Sequence, residues 1–152
     1  MPRNLKNEDV YTKRRRIAWL AGSSPELGFT SLNHLIDTDW LKEAFRLTRK
    51  SGAPGVDGQR AQEYEENLEE NLQNLLDRAK SGRYRAPPVW RKHIPKGTGS
   101  ETRPIGIPTF EDKVLQRAIV MLLEPIYSAL PTTGVSRARG TGRLPKRPCQ
   151  NG

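Results

Sequence analysis

The stretch from Gly82 to Tyr127 constrains the fold most, because prolines and glycines interrupt it at short intervals. The Pro87–Pro88 pair favours an extended chain, since proline fixes φ and moves the preceding residue out of the helical region. Val89 to Ile94 is then rich in residues that favour a strand, and Pro95 restricts that strand to the edge of a sheet. The sequence therefore predicts an extended, basic segment rather than a helix here.

A loop, a return strand and a helix are predicted to follow. Gly97 and Gly99 indicate the loop, and Arg103 to Ile107 is expected to run back beside the first strand as a β-hairpin with a basic tip. Phe110 to Glu124 is expected to form a helix that Thr109 caps and Pro125 ends. The side chains expected to point inward from this helix are Val114, Leu115, Ala118, Ile119, Leu122 and Leu123.

Apolar residues at steps of three and four predict helices elsewhere in the chain. The predicted spans are Glu8–Ala21, a short helix at Ser31–Ile36, Asp39–Lys50 and Ala61–Lys80. Asn7 and Thr38 are the expected N-caps, and His34 is expected to be half-buried beside its leucine neighbours. The expected fold class is α+β: mostly helical with one β-hairpin, followed by a disordered C-terminal tail rich in Gly, Pro, Thr and Arg.

The positive charge is concentrated in the same basic segment. The net charge is +9, and residues 78–117 contain ten Lys or Arg against three acids. Such a distribution attracts polyanions, with nucleic acid first and an anionic membrane surface second, while charge for solubility alone is the third interpretation. Tyr84 and Trp90 lie among the cations and favour nucleic acid, because exposed bases stack on aromatic rings.

The composition also predicts a soluble, cytoplasmic protein with no membrane partner. The single Cys149 cannot form a disulfide within the chain, which suits a reducing compartment. No run approaches the ~20 apolar residues of a membrane span, and no apolar stretch near the N-terminus is long enough for a signal peptide.

Three motifs in order carry a family resemblance. They are GAPGVDG at 52–58, YRAPPVWRKHIPKGTGSETRPIGIPTFEDKVLQRA at 84–118 and LEPIY at 123–127. Together they resemble the fingers of group II intron-encoded reverse transcriptases, also called maturases. One difference is Trp90, which stands where that family usually has a basic residue. The resemblance implies an N-terminal helical extension at 1–38, a fingers fragment at 39–127 and an out-of-family basic tail at 128–152.

The resemblance also assigns roles to cations. Lys96 and Arg103 are expected to hold the triphosphate of an incoming nucleotide, the alternative being that both are solvent-exposed loop cations. RNA-backbone contacts are expected from Arg83, Arg85, Arg91 and Lys92 of the basic segment, and from Lys13, Arg14, Arg15 and Arg16 of the first helix. A solvated helix surface is the equal alternative for the last four.

Catalysis is not expected from these residues alone. The family's polymerases bind Mg²⁺ through palm aspartates, and residues 128–152 contain no acid. We therefore expect a truncated reverse transcriptase fragment that is inactive alone, has no cofactor or metal ligand of its own and binds intron or template RNA. A frameshift or a truncation is the expected origin of the tail, and a palm-containing chain acting in trans is a possible partner. The alternative function is a stand-alone RNA-binding module with maturase-like contacts.

Overall fold

The computed structural model describes residues 9–129 apart from 25 and 27. In chain order its elements are α1 (Val10–Ser23), a 3₁₀ helix (Asn33–Leu35), α2 (Thr38–Leu47), α3 (Ala61–Glu66), α4 (Leu68–Lys80), β1 (Trp90–Pro95), β2 (Thr102–Ile107) and α5 (Phe110–Ala129). The predicted α+β class is confirmed, with one two-stranded antiparallel sheet in this part of the chain.

The β-hairpin forms where the sequence predicted it. Trp90 pairs with Ile107 at the open end and Pro95 pairs with Thr102 at the loop. The loop is closed by a hydrogen bond of 2.8 Å from the Lys96 amide to the Glu101 carbonyl. Gly97 has a φ of +69° within it, a conformation that side chains with a Cβ rarely adopt. The hairpin is therefore fixed by turn chemistry and strand pairing.

The hydrophobic core lies between the helices. Helix α5 packs against α1 and α2, and α2 also packs against α4. Trp40 of α2 is fully buried, and its indole Nε1 donates a hydrogen bond of 3.0 Å to the Ala118 carbonyl of α5. Phe45, Tyr64 and Phe110 form an aromatic cluster with ring centroids 5.4–6.3 Å apart. Neither strand of the hairpin has an extensive contact with any helix.

Helix α2 begins one residue earlier than predicted. Asp37 is its N-cap, and the carboxylate accepts a hydrogen bond of 2.9 Å from the Trp40 amide. Thr38, the predicted cap, is the first helical residue. Asp37 is the better acceptor because its charge also complements the positive end of the helix dipole. Helix α2 ends at Leu47, three residues before the predicted boundary.

The predicted single helix over 61–80 is divided at Asn67. This residue has φ −121° and ψ +40°, outside the helical region, so that α3 and α4 are separate. The Asn71 side chain donates a hydrogen bond of 2.9 Å to the Tyr64 carbonyl, which the break deprives of its helical partner. Gly82, with φ +71°, ends the turn after α4.

Helix α5 continues through Pro125, where the sequence predicted its end. Pro125 is buried within the helix, and the last helical residues are Ser128 and Ala129, the first two of the predicted tail. A helix tolerates proline at the cost of one backbone hydrogen bond, and the packing of α5 against α1 offsets that cost. Two of the predicted inward residues, Ile119 and Leu123, are exposed, while Met121 is buried in their place.

Several expectations concern the first 40 residues and the chain end. Helix α1 is confirmed but continues past Gly22 to Ser23, and Asp9 is its N-cap. The short helix is a single 3₁₀ turn, and His34 is exposed rather than half-buried. The predicted cap Asn7 and the predicted disordered residues 130–152 lie outside the described residues.

Candidate nucleic-acid interface

A hydrogen-bonded cluster fixes the base of the hairpin to α5. The Tyr84 hydroxyl donates to Asp112 Oδ1 over 2.9 Å, and Gln116 Nε2 donates to Asp112 Oδ2 over 2.6 Å. The Asp112 amide donates to Thr109 Oγ1 over 3.3 Å, which makes Thr109 the cap that the sequence predicted. Asp112 is almost fully buried, and its carboxylate is satisfied by these partners. The chain leading into β1 is thereby held on the helix that follows β2.

An ion pair covers this cluster. Arg78 of α4 donates to Glu111 over 2.5 Å, and its guanidinium lies 5.6 Å from the centre of the Tyr84 ring. Burial, followed by the hydrogen bond to Asp112, raises the pKa of Tyr84 above its ordinary value. No role was predicted for Asp112 or Gln116, although their spacing of four residues places both on one helix face.

The glycine motif packs on the same region from the other side. A Cβ at Gly55 would lie 2.6 Å from Thr109 Cα, so the two backbones meet where a side chain would not fit. Lys113 of α5 donates a hydrogen bond of 2.7 Å to the Ala53 carbonyl. The Asp57 side chain accepts from the Gln59 amide over 3.3 Å, a bond typical of a turn. Two of the three motifs of the family resemblance therefore join at the base of the hairpin.

The register divides the hairpin into two faces. Directly paired residues of antiparallel strands point to the same side, and successive residues alternate. One face carries Trp90, Lys92 and Ile94 opposite Ile107, Ile105 and Arg103; the second carries Arg91, His93 and Pro95 opposite Gly106, Pro104 and Thr102. We call the first of these the Trp90 face.

The Trp90 face combines an exposed aromatic ring with exposed cations. The Trp90 side chain is 54% exposed and Ile105 is 39% exposed. Lys92 and Arg103 are exposed at diagonal positions of this face, where side chains lie about 7–8 Å apart. Among the described residues neither cation has a carboxylate partner. Both therefore remain available to an anionic ligand.

The other predicted cations of the basic segment are more dispersed. Arg91 lies on the opposite face of the hairpin from Lys92. Arg83 and Arg85 are exposed on the chain that enters β1, and Arg83 donates a hydrogen bond of 3.0 Å to Ser81 Oγ. Lys96 follows β1 directly, and its ammonium lies 3.6 Å from Glu101 in an exposed ion pair. An exposed pair of this kind is weak, so an anionic ligand could displace Glu101.

The predicted cations of α1 do not join this surface. Helix α1 has no extensive contact with the hairpin. Lys13 is 4% exposed and forms an ion pair with Asp37, while Arg14 pairs with Glu124 over 2.7 Å. Arg15 is exposed and lies 5.8 Å from the centre of the Tyr11 ring, and Arg16 is exposed as well. Burial and pairing leave Lys13 without the solvent exposure that an RNA-backbone contact requires.

Metal ligation and membrane insertion can both be assessed for the part of the chain that the structure describes. In residues 9–129 without 25 and 27, no three His, Cys, Asp or Glu side chains are grouped so that they could hold a metal ion. None of the helices in that range is both long enough and apolar enough to cross a membrane.

Comparison with known proteins identifies relatives over part of the chain. Protein YkfC of Escherichia coli K12 is 41% identical over 120 residues, which cover 76% of this chain and 31% of YkfC. Group II intron-encoded protein LtrA of Lactococcus lactis subsp. cremoris is 42% identical over 59 residues, covering 39% of this chain and 10% of LtrA. No family model matches.

The chain thus spans about a third of the length of one curated relative and about a tenth of the other. The identity to LtrA agrees with the group II intron resemblance of the sequence motifs. Over part of its length, this chain is a homologue of a group II intron-encoded protein.

Proposed function

We propose that residues 39–127 are the fingers part of a group II intron-type reverse transcriptase and that their hairpin binds RNA. The observation that carries this proposal is the Trp90 face, where an exposed indole and the exposed cations Lys92 and Arg103 lie on one side of the hairpin. The partial homology to LtrA supports a reverse-transcriptase-related origin.

The chemistry of this face suits single-stranded RNA. Lys and Arg neutralise phosphates, and an exposed aromatic ring offers a stacking surface for an unpaired base. Trp90 and Lys92 are two residues apart on one strand and therefore point to the same side. Because no pattern of base-edge contacts is built into this surface, the binding is expected to depend on salt and only weakly on sequence.

Lys96 and Arg103 retain the role that the family resemblance gives them. In a complete polymerase they would hold the triphosphate of the incoming nucleotide, Arg103 as a two-pronged donor and Lys96 as a point charge. Magnesium chemistry would come from palm aspartates, which have no counterpart among these 152 residues, since no acid follows Glu124. We expect the chain alone to bind RNA without extending a primer.

The first experiment is a titration of a fluorescent single-stranded RNA at several salt concentrations. Substitution of Lys92 and Arg103 by Gln should lower the slope of log K against log salt by about 1.4, or about 0.7 for each lost contact. Trp90→Ala should weaken binding by a further ~1–3 kcal/mol, the usual contribution of one stacked base.

A matched control removes two charges that are already paired. Lys42 and Arg46 of α2 pair with Glu69 and Glu43, so their replacement by Gln changes the net charge equally without affecting the hairpin. Equal losses in both double variants would contradict a specific role of the hairpin. Primer extension with Mg²⁺ by the wild-type chain would contradict the expected lack of catalysis.

A stand-alone RNA-binding module is the second candidate. The packing of α2 against both α4 and α5 favours it, because the described residues enclose a core of their own around Trp40. A cooperative unfolding transition together with RNA binding by the isolated chain would favour this function. Aggregation relieved by adding a palm-containing protein would favour the fingers fragment instead.

A further inference from the structure

A second group of cations lies outside the two strands of the hairpin, between the C-terminal end of α2 and the outer face of α5. These residues line an open groove of about 350 Å³: Thr48, Arg49, Gly52, Lys113, Gln116, Arg117 and Val120. We call it the α2–α5 groove. Three of its seven lining residues are cations and none is a carboxylate.

The three cations are held by neutral oxygen atoms. Arg117 donates a hydrogen bond of 3.2 Å to the carbonyl of Leu47, the last residue of α2, and Lys113 donates to the Ala53 carbonyl. Arg49 Nε donates over 3.0 Å to Ser51 Oγ. No ion pair in the described part of the chain involves any of the three. The protein therefore holds each cation by a hydrogen bond to an uncharged oxygen atom and leaves its positive charge without a carboxylate partner.

This arrangement favours an anion with little loss of side-chain entropy. Each cation has remaining N–H groups, and fixing it in advance reduces the ordering cost that binding would otherwise incur. Arg is also the residue that best matches the geometry of phosphate oxygens. The groove is too open to enclose a small ligand, and it has no aromatic lining on which a base could stack.

We propose that the α2–α5 groove binds the phosphodiester backbone of RNA as a second contact, in addition to the hairpin. The inference rests on the proposed RNA binding and extends it to residues outside the predicted site. The contact is made to phosphates and is therefore independent of base sequence.

We expect one RNA strand to reach both surfaces. Gly52 lines the groove and is three residues from Gly55, a span of at most about 11 Å in an extended chain. Gly55 in turn lies against Thr109, the second residue after β2. The glycine motif therefore connects the groove with the base of the hairpin, and a strand of a few nucleotides covers the distance.

The decisive experiment introduces a carboxylate at one of two neighbouring exposed positions of α5. Val120 is 47% exposed and lines the groove, whereas Ile119 is 41% exposed and does not. Val120→Glu and Ile119→Glu change the net charge equally on the same helix. With a uniform poly-U RNA at 0.1 M salt, we expect Val120→Glu to weaken binding by about 5-fold or more, the effect of one lost phosphate contact. Ile119→Glu should change it less than 2-fold.

A second, independent experiment removes one of the three positive charges of the groove. Arg49→Gln removes a side chain whose one bond is to a neighbouring serine hydroxyl, so the fold should be unaffected. It should lower the salt slope by about 0.7, and inorganic pyrophosphate should protect the wild-type chain against heat more than this variant.

The outcomes separate the two proposals. If RNA binding responds to the hairpin variants but equally to Val120→Glu and Ile119→Glu, the groove proposal is wrong and the proposed function stands. If the wild-type chain does not bind RNA at all, the proposed function fails. If an acidic peptide binds the groove in preference to RNA, the groove recognises protein and our assignment of its ligand is overturned.

Discussion

Trp40 lies in the helical core of this molecule, and Trp90 lies on its hairpin. Trp40 is fully buried between helices and has a hydrogen-bond partner for its indole, whereas Trp90 is more than half exposed on a hairpin strand. The helical core is held by contacts among side chains distant in sequence. The hairpin is held by its own register, its loop and the Tyr84–Asp112 bond at its base.

The difference in burial implies that side chains of the two regions contribute differently to the stability of the fold. A core residue contributes to stability because it is removed from water, at about 25 cal/mol per Å² of apolar surface. The hairpin has no fully buried residue in either strand, so its aromatic and cationic side chains contribute little to folding. Stability and RNA binding should therefore respond to different substitutions.

The test with the largest expected effect replaces each of these two tryptophans by alanine. Trp40→Ala creates a buried cavity and should lower the free energy of unfolding by about 3–5 kcal/mol. Trp90→Ala should change it by less than about 0.5 kcal/mol while weakening RNA binding. Urea denaturation followed by circular dichroism measures the first effect. A large destabilisation by Trp90→Ala would show that the hairpin is part of the core.

The next test concerns the contact between the glycine motif and the start of α5. Gly55→Ala should destabilise the protein by about 1–3 kcal/mol, because the new methyl group would overlap the Thr109 backbone. Gly99→Ala in the hairpin loop is the matched control, since its nearest neighbour is 3.9 Å away and its φ is not positive. Equal effects in thermal unfolding would mean that the close approach at Gly55 is relieved by a small movement of the loop.

Two tyrosine hydroxyls provide a finer comparison. Tyr84→Phe removes a hydrogen bond to the buried Asp112 carboxylate and should cost about 1.5–3 kcal/mol. Tyr64 is buried, but its hydroxyl has no hydrogen-bond partner among the residues that the structure describes, so Tyr64→Phe should be neutral or slightly stabilising. The midpoints of denaturant unfolding, compared at an unchanged m-value, measure the stability change of both variants. A destabilising Tyr64→Phe would indicate that a bound water satisfies this hydroxyl.

Local sequence patterns predicted the hairpin and most of the helical positions. The hairpin was predictable because Gly97, the flanking prolines and the β-favouring residues act within a few positions of one another. Helical periodicity predicted the helices in which Trp40 and Leu72 are buried.

The errors arose where a distant contact decides the structure. Helix α5 continues through Pro125 because its packing against α1 offsets the lost backbone bond, and no local pattern shows that packing. Periodicity alone could not choose between Ile119 and Met121 on a helix with apolar residues on both sides. The sequence predicted Lys13 to be an exposed cation of a helix. It is buried instead, because it forms an ion pair with Asp37, 24 residues away.

The candidate site shows the same division. The alternation of strand residues placed Lys92 and Arg103 on one face as soon as the register was known, but sequence alone did not fix that register. Asp112 and Gln116 lie within the motif at 84–118, but their structural role depends on Tyr84, which lies opposite them. The α2–α5 groove joins residues 49, 113 and 117 and therefore had no local signal.

The smallest expected effect is a dependence of stability on alkaline pH. Burial raises the pKa of Tyr64, and burial together with the Asp112 bond raises that of Tyr84, above the ordinary value of 10.0. Above pH 10 the unfolded chain therefore loses protons that the folded chain keeps, and the contribution present below pH 10 declines as pH rises. The free energy of unfolding should fall between pH 10 and 11.5, and less steeply in Tyr84→Phe than in the wild type. Because Tyr84 joins the hairpin to α5, an unchanged slope in that variant would place the alkaline sensitivity in the core alone.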